Sequence, residues 1–136
     1  MQYRKIFNLD TNILIEIIRS NKAMIQKLTE TVSQNDAIAI SDIVYYEVMR
    51  GFNENTSRKK LTLFKELYND ALHLSLNKKS LNIAVNIYQE LRKTGQLIED
   101  ADIFIAAISI ANDAVLVTDN VKHFGRIPTL NILNWK

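Results

Sequence analysis

The chain has 136 residues, with 17 Lys and Arg against 15 Asp and Glu, and a net charge of +2 is too small to argue for a nucleic-acid partner from bulk charge. It contains no cysteine, which excludes disulfides, zinc–thiolate centres and thiol nucleophiles and agrees with a reducing compartment. The length suits one domain over residues 1–136, able to bury roughly two-thirds of its unfolded surface without staples.

In chain order, Met1-Gln2-Tyr3-Arg4-Lys5 runs straight into a short apolar strand, unlike a signal peptide. No run approaches the ~18 apolar residues of a membrane span, so a soluble, cytoplasmic protein without a membrane partner is expected. Short strand-like runs are Tyr3 to Leu9, Ala37 to Ile40, Ala71 to Leu76, Ala114 to Val117 and Leu130 to Leu133. Between them lie helical patterns. Leu61, Phe64, Leu67 and Tyr68 form a stripe begun by Thr56 or Ser57 as N-cap. Leu81, Ala84, Val85, Tyr88 and Leu91 form another, closed by Gly95 at C′. Ile103 to Ala111 is apolar almost all round and reads as a buried helix. With three Gly and one Pro, connections should be short. Strands alternating with helices imply βαβ units: an α/β fold with a central, mainly parallel sheet covered on both faces. In such sheets ligands sit beyond the carboxyl ends of the strands, at the switch in strand order.

Acids recur at those ends. Asp10 closes the first strand and opens a helix in Leu9-Asp10-Thr11-Asn12; an N-cap role alone would also place an aspartate there. Glu47 follows Ile43 and Val44 by one turn and shares their apolar face, where acids are rarely buried alone; an ion pair with Arg50 is the plainer alternative. Asp102 opens the buried helix, where it would complement the dipole or face a cleft. Asp100 points elsewhere and reads as a cap or rim residue. The run Ala114 to Val117 ends in Thr118-Asp119-Asn120, either a turn or further oxygen ligands. Two carboxylates about 5 Å apart repel by roughly 3 kcal/mol at an effective dielectric of 20. Three or four therefore demand protonation or a cation, and an all-oxygen set favours Mg²⁺ or Mn²⁺ over zinc.

Four segments carry a family resemblance: Leu9-Asp10-Thr11-Asn12, Glu47-Val48-Met49-Arg50-Gly51, Ile98-Glu99-Asp100-Ala101-Asp102-Ile103-Phe104, and Leu116-Val117-Thr118-Asp119-Asn120 with His123-Phe124. In this order they resemble the PIN-domain nucleases, specifically the VapC-type toxins of toxin–antitoxin pairs, over nearly the whole chain. The resemblance implies a three-layer α/β/α fold and a Mg²⁺-dependent endoribonuclease that hydrolyses RNA by metal-activated water. It also implies a homodimer and a small cognate antitoxin. Carried across, Asp10, Glu47, Asp102 and Asp119 become catalytic, with Asp10 and Asp102 binding the metal directly. Asn12, Asp100, Thr118 and Asn120 line the rim or hold the ligands. The fourth motif departs from a common Thr-x-Asp form, since Asn120 occupies the acid's place with Asp119 beside it, which leaves Asp119, Asn120 or a bridging water as the last ligand. Arg50, Lys122 and Arg126 are the candidate RNA contacts. His123 reads as a phosphate contact or plain surface rather than a catalyst, and His73 as outward-facing.

Two other classes compete. A phospho-acceptor receiver domain wants paired acids after the first strand, where only Asp10 stands, and an acceptor Asp after the third, where Asn77-Lys78-Lys79 follows. A haloacid-dehalogenase-type phosphatase wants a second Asp at position 12, held here by Asn12. A non-catalytic PIN-like scaffold is the third alternative, opposed by the retained Asp10, Glu47 and Asp102.

Overall fold

A computed structural model describes residues 3–136. The order is β1 (Ile6–Leu9), α1 (Thr11–Ile18), α2 (Lys22–Ser33), β2 (Ala37–Ser41), α3 (Asp42–Gly51), α4 (Arg58–Asp70), β3 (Leu72–Leu74), α5 (Lys78–Lys93), α6 (Asp100–Ala111), β4 (Val115–Val117), α7 (Val121–Phe124) and β5 (Ile132–Leu133). The strands form one sheet in the order β3-β2-β1-β4-β5, and every pairing is parallel. The fold is the expected three-layer α/β/α arrangement.

Burial shows why the sheet needs helices on both faces. All five residues of β2 are buried. Ile38 and Ile40 join the larger core, while Ala39 between them joins a smaller one with Leu74 and Ile108. Successive strand residues thus feed opposite faces, each with its own apolar cover. Because β2 and β4 flank β1 on either side, the chain reverses its winding at β1/β4, and the carboxyl ends of these two strands bound the crevice there.

Several strands are shorter than the sequence suggests. Tyr3, Arg4 and Lys5 are exposed ahead of β1. Ala71 is spent as the C-cap of α4. Leu76 gives its N–H to the Asp42 carboxylate instead of a ladder, and Leu130 closes a turn onto Ile127. The N-cap of α4 is Ser57, whose hydroxyl accepts from the Lys60 N–H. Gly95 sits just past Thr94, the C-cap of α5, at φ 65°, a left-handed conformation in which glycine has no Cβ penalty.

One reading needs correction. The face that α5 buries is Ser80, Ala84, Ile87 and Leu91; Leu81, Val85 and Tyr88, expected on the same stripe, are exposed. The i, i+4, i+7 spacing holds on both sides of this helix, and Ile87 rather than Val85 set the inward direction. Helix α2 buries Met24 alone. Among the described residues no helix is long and apolar enough to cross a membrane.

Candidate active site

Asp10 stands at the junction of β1 and α1, held there by both elements. Its N–H bonds Val117 O at 2.9 Å, continuing the β1/β4 ladder, and its side chain caps α1 by accepting from the Thr11 N–H at 2.9 Å. The other carboxylate oxygen accepts from the Thr118 hydroxyl at 2.7 Å. Thr118 leaves β4 fully buried and ties the two strand ends together across the switch point. Its oxygen also accepts from the Asn120 N–H at 3.0 Å.

The Asp10 carboxyl is only 5% exposed. Its pKa is pushed up to about 6, chiefly by burial, against the two hydrogen bonds and with the added repulsion of Asp102 and Glu47. Asp102, in the first turn of α6, is also raised, by burial first and with Glu47 contributing. Mutual repulsion ties these three acids, distant along the chain, into one electrostatic neighbourhood.

Glu47 projects from the second turn of α3. It accepts from the Thr11 hydroxyl at 2.7 Å, and Arg50 approaches its other oxygen at 3.7 Å, so both the buried-partner and the ion-pair readings of Glu47 are realised. Arg50 is simultaneously 5.3 Å above the Tyr46 ring. Thr11 was not singled out from the sequence; its place directly after Asp10 was the only available signal.

Asp119 follows Thr118 and is spoken for. The Asn12 amide donates to one oxygen at 3.1 Å and the Lys136 ammonium to the other at 2.8 Å. The Lys136 hydrogen bond is the main reason that its pKa is lowered, so the ammonium serves Asp119 as its counterion. Asn120 occupies the N-cap of α7 without capping its backbone N–H groups, and its side-chain amide donates to His123 Nδ1 at 3.0 Å. That same Nδ1 lies 3.7 Å from Asp102 Oδ2, an ion pair when the ring is protonated. His123 therefore lies half-buried beside the acidic cluster, a position open to the phosphate contact expected of it. Asp100 is exposed in the first turn of α6, and Glu99, not Asp100, occupies the N-cap position, without a side-chain cap bond. Lys122 is exposed on α7. Arg126 donates to the Gln96 and Leu97 carbonyls. His73 is exposed and stacks on Tyr68 at 3.9 Å between ring centroids.

Among the described residues no group of three or more His, Asp or Glu could by itself hold a metal ion. The donor chemistry nonetheless fits a hard cation taken up by two carboxylates. Asp10 and Asp102 are oxygen donors whose ionised forms are penalised by burial and by neighbouring carboxylates, Asp102 and Glu47 acting on Asp10 and Glu47 on Asp102, a penalty that a cation would relieve. One or two carboxylates, with water and substrate phosphate filling the rest, is the usual protein contribution to bound Mg²⁺.

A doubly covered parallel sheet carries a buried acid, Asp10, at its switch point with Glu47 and Asp102 half-buried beside it, and the PIN domain family matches residues 8–130: the chain belongs to that family. It is similar to Ribonuclease VapC2 of Rickettsia felis, 31% identical over 131 residues that make up 96% of this chain and 98% of that one. It also resembles Ribonuclease VapC1 of Methanocaldococcus jannaschii, 33% identical over 118 residues, covering 87% and 78% respectively. The crystal structure of VapBC2 from Rickettsia felis bound to a DNA fragment from their promoter superposes with a TM-score of 0.85 at 30% identity, covering 96% of this chain and 99% of that one. VapBC-1 from nontypeable Haemophilus influenzae superposes at 0.82 and 30% identity, covering 96% and 98%.

Proposed function

We propose that this chain is a metal-dependent endoribonuclease acting as the toxin of a type II toxin–antitoxin pair, with Mg²⁺, or Mn²⁺ in its place, held by Asp10 and Asp102. The carrying observation is the Asp10 carboxyl: buried, raised to about 6 and pressed by Asp102 and Glu47, yet fixed by two hydrogen bonds rather than neutralised by a cationic side chain. Relatives named as VapC ribonucleases support the activity, and structural neighbours that are VapBC complexes support an antitoxin partner.

A divalent cation bound there would lower the pKa of water and offset charge on the scissile phosphate. The chain's own contribution is orientation. Thr118 and the Thr11 N–H hold Asp10 from both sides, so its carboxylate is fixed before substrate arrives. The Thr11 hydroxyl holds Glu47 at the opposite wall, where it would position an attacking water. Asp119, paired with Lys136, and Asn12 and Asn120 shape the rim. Arg50 and Lys122 are available to phosphates flanking the cleaved one. Hydrolysis of this type needs no 2′-hydroxyl, so the products carry 5′-phosphate and 3′-hydroxyl ends. RNA as substrate, a homodimer and a cytoplasmic location complete the proposal.

The test is a cleavage assay on single-stranded RNA with Mg²⁺ and with EDTA, comparing wild type, Asp10→Asn and Asp102→Asn. Cleavage is expected from wild type with Mg²⁺ alone. Cleavage that survives EDTA and both substitutions in folded protein refutes the proposal.

A further inference from the structure

A groove of about 280 Å³ runs from Glu47 between α1, α3 and the start of α4. Ile15, Ile18 and Phe52 line it with apolar surface, and Arg19 and Lys60 are the cations of its wall. Arg19 is exposed at the C-cap of α1, and Lys60 is exposed in the first turn of α4. Neither cation has an ion pair or side-chain hydrogen bond among the described residues. Elsewhere around the acidic cluster Arg50 pairs with Glu47, Lys136 with Asp119 and Arg126 with backbone carbonyls, and Lys122 on α7 is exposed outside this groove.

We infer that this groove is a subsite for one nucleotide of the RNA strand adjacent to the cleaved phosphate, with its phosphate between Arg19 and Lys60 and its base against Phe52. The inference rests on the ribonuclease reading and adds where the strand goes when it leaves the acidic cluster. Three features favour a nucleotide. Glu47 is shared between the acidic cluster and the wall of the groove, so a strand whose scissile phosphate sits at the cluster passes beside it. Its cation-and-apolar division matches a nucleotide's split into phosphate and planar base, the pattern by which single strands are held. Its volume, about 280 Å³, falls just below the roughly 300–1,000 Å³ typical of small-ligand sites, a size for one unstacked nucleotide rather than several. Phe52 is itself braced, packing on Phe64 with ring centroids 5.9 Å apart, so a stacking base meets a ring already ordered.

The test uses the full chain carrying Asp102→Asn, so that RNA binds without being cut. The probe is a fluorescein-labelled single-stranded oligoribonucleotide pool of mixed sequence, and the readout is anisotropy across a salt series. Arg19→Ala and Lys60→Ala should each weaken binding several-fold and flatten the slope of log affinity against log salt by about 0.7, the value for one lost phosphate contact on a single strand. The double variant should lose about twice that slope. Phe52→Leu, which keeps apolar volume without a stacking face, should weaken binding several-fold with its salt slope unchanged. Lys93→Ala on α5, paired with Glu90, is the control and should change nothing.

In the cleaving background, Arg19→Ala and Lys60→Ala should raise KM with kcat near that of wild type. Wild-type slope and KM in both variants, in a protein that binds and cuts RNA, would overturn the subsite and leave the groove to a protein partner. Equal losses in Lys93→Ala would overturn it as well, by showing diffuse charge attraction. A chain with Asp102 intact that neither binds nor cuts RNA would instead refute the ribonuclease reading, and the subsite with it.

Discussion

Replacing Thr118 with valine isolates the hydrogen bond that governs Asp10. Thr118 is fully buried and its hydroxyl donates to Asp10 Oδ2 at 2.7 Å. Valine keeps the shape and removes that donor, along with the acceptor for the Asn120 N–H. A hydrogen bond to a charged group contributes about 1.5–3 kcal/mol, equivalent to a roughly ten- to hundred-fold rise in the proton affinity of Asp10 when it is lost. The Asp10 pKa already stands at about 6, so the variant carboxyl would be mostly protonated at neutral pH and unable to bind a cation. The assay is the pH dependence of RNA cleavage at fixed Mg²⁺, paired with a carboxyl ¹³C NMR titration of the metal-free protein. The acid limb of the rate profile should move to higher pH by about one to two pH units, and Thr118→Ser should restore it. An acid limb in Thr118→Val that coincides with wild type, and an unmoved Asp10 resonance, would refute the reasoning.

Further outcomes follow from the same geometry. A carboxyl whose folded pKa is raised gives stability that is complete below its unfolded pKa of 3.8 and is lost as pH rises through about 6. Metal-free protein should therefore lose up to about 3 kcal/mol over that window, Asp10→Asn should remove the dependence and raise Tm at neutral pH, and thermal melts across pH would measure both. Thr11→Val takes away the hydroxyl that holds Glu47 and should lower kcat by roughly ten- to a hundred-fold with a small change in Tm. Equal kcat for Thr11→Val and wild type would free Glu47 of any positioning by Thr11. Arg50→Ala should cost no more than about 1 kcal/mol of stability in a denaturant titration, because its pair with Glu47 is largely exposed on the arginine side.

The architecture was legible because its signals were local. Burial on both faces left continuous apolar runs such as Ala37 to Ile40, and the absence of a polar face marked α6 as interior. Asp10 was legible as a strand-end cap because capping is read from adjacent residues. Contacts set by the third dimension were not. The Thr11–Glu47 bond spans 36 residues and the Thr118–Asp10 bond 108; no periodicity encodes either. Lys136 reaches Asp119 only because β5 lies beside β4, so the counterion at the end of the chain left no mark in any motif. His123 was discounted because its neighbours Lys122 and Arg126 suggested a basic surface stretch. The short α7 turns it instead toward Asp102. On α5, two apolar stripes of equal quality competed, and the packing against α6 decided which was buried.

The central claim is that Asp10 and Asp102 jointly hold a divalent cation. Anomalous diffraction from crystals of this chain soaked in Mn²⁺ tests it most directly. One strong peak within coordination distance of both carboxylates is predicted, lost in Asp102→Asn. A peak bound to neither, or Mn²⁺ seated only on Asp119 with Lys136 displaced, would contradict the account.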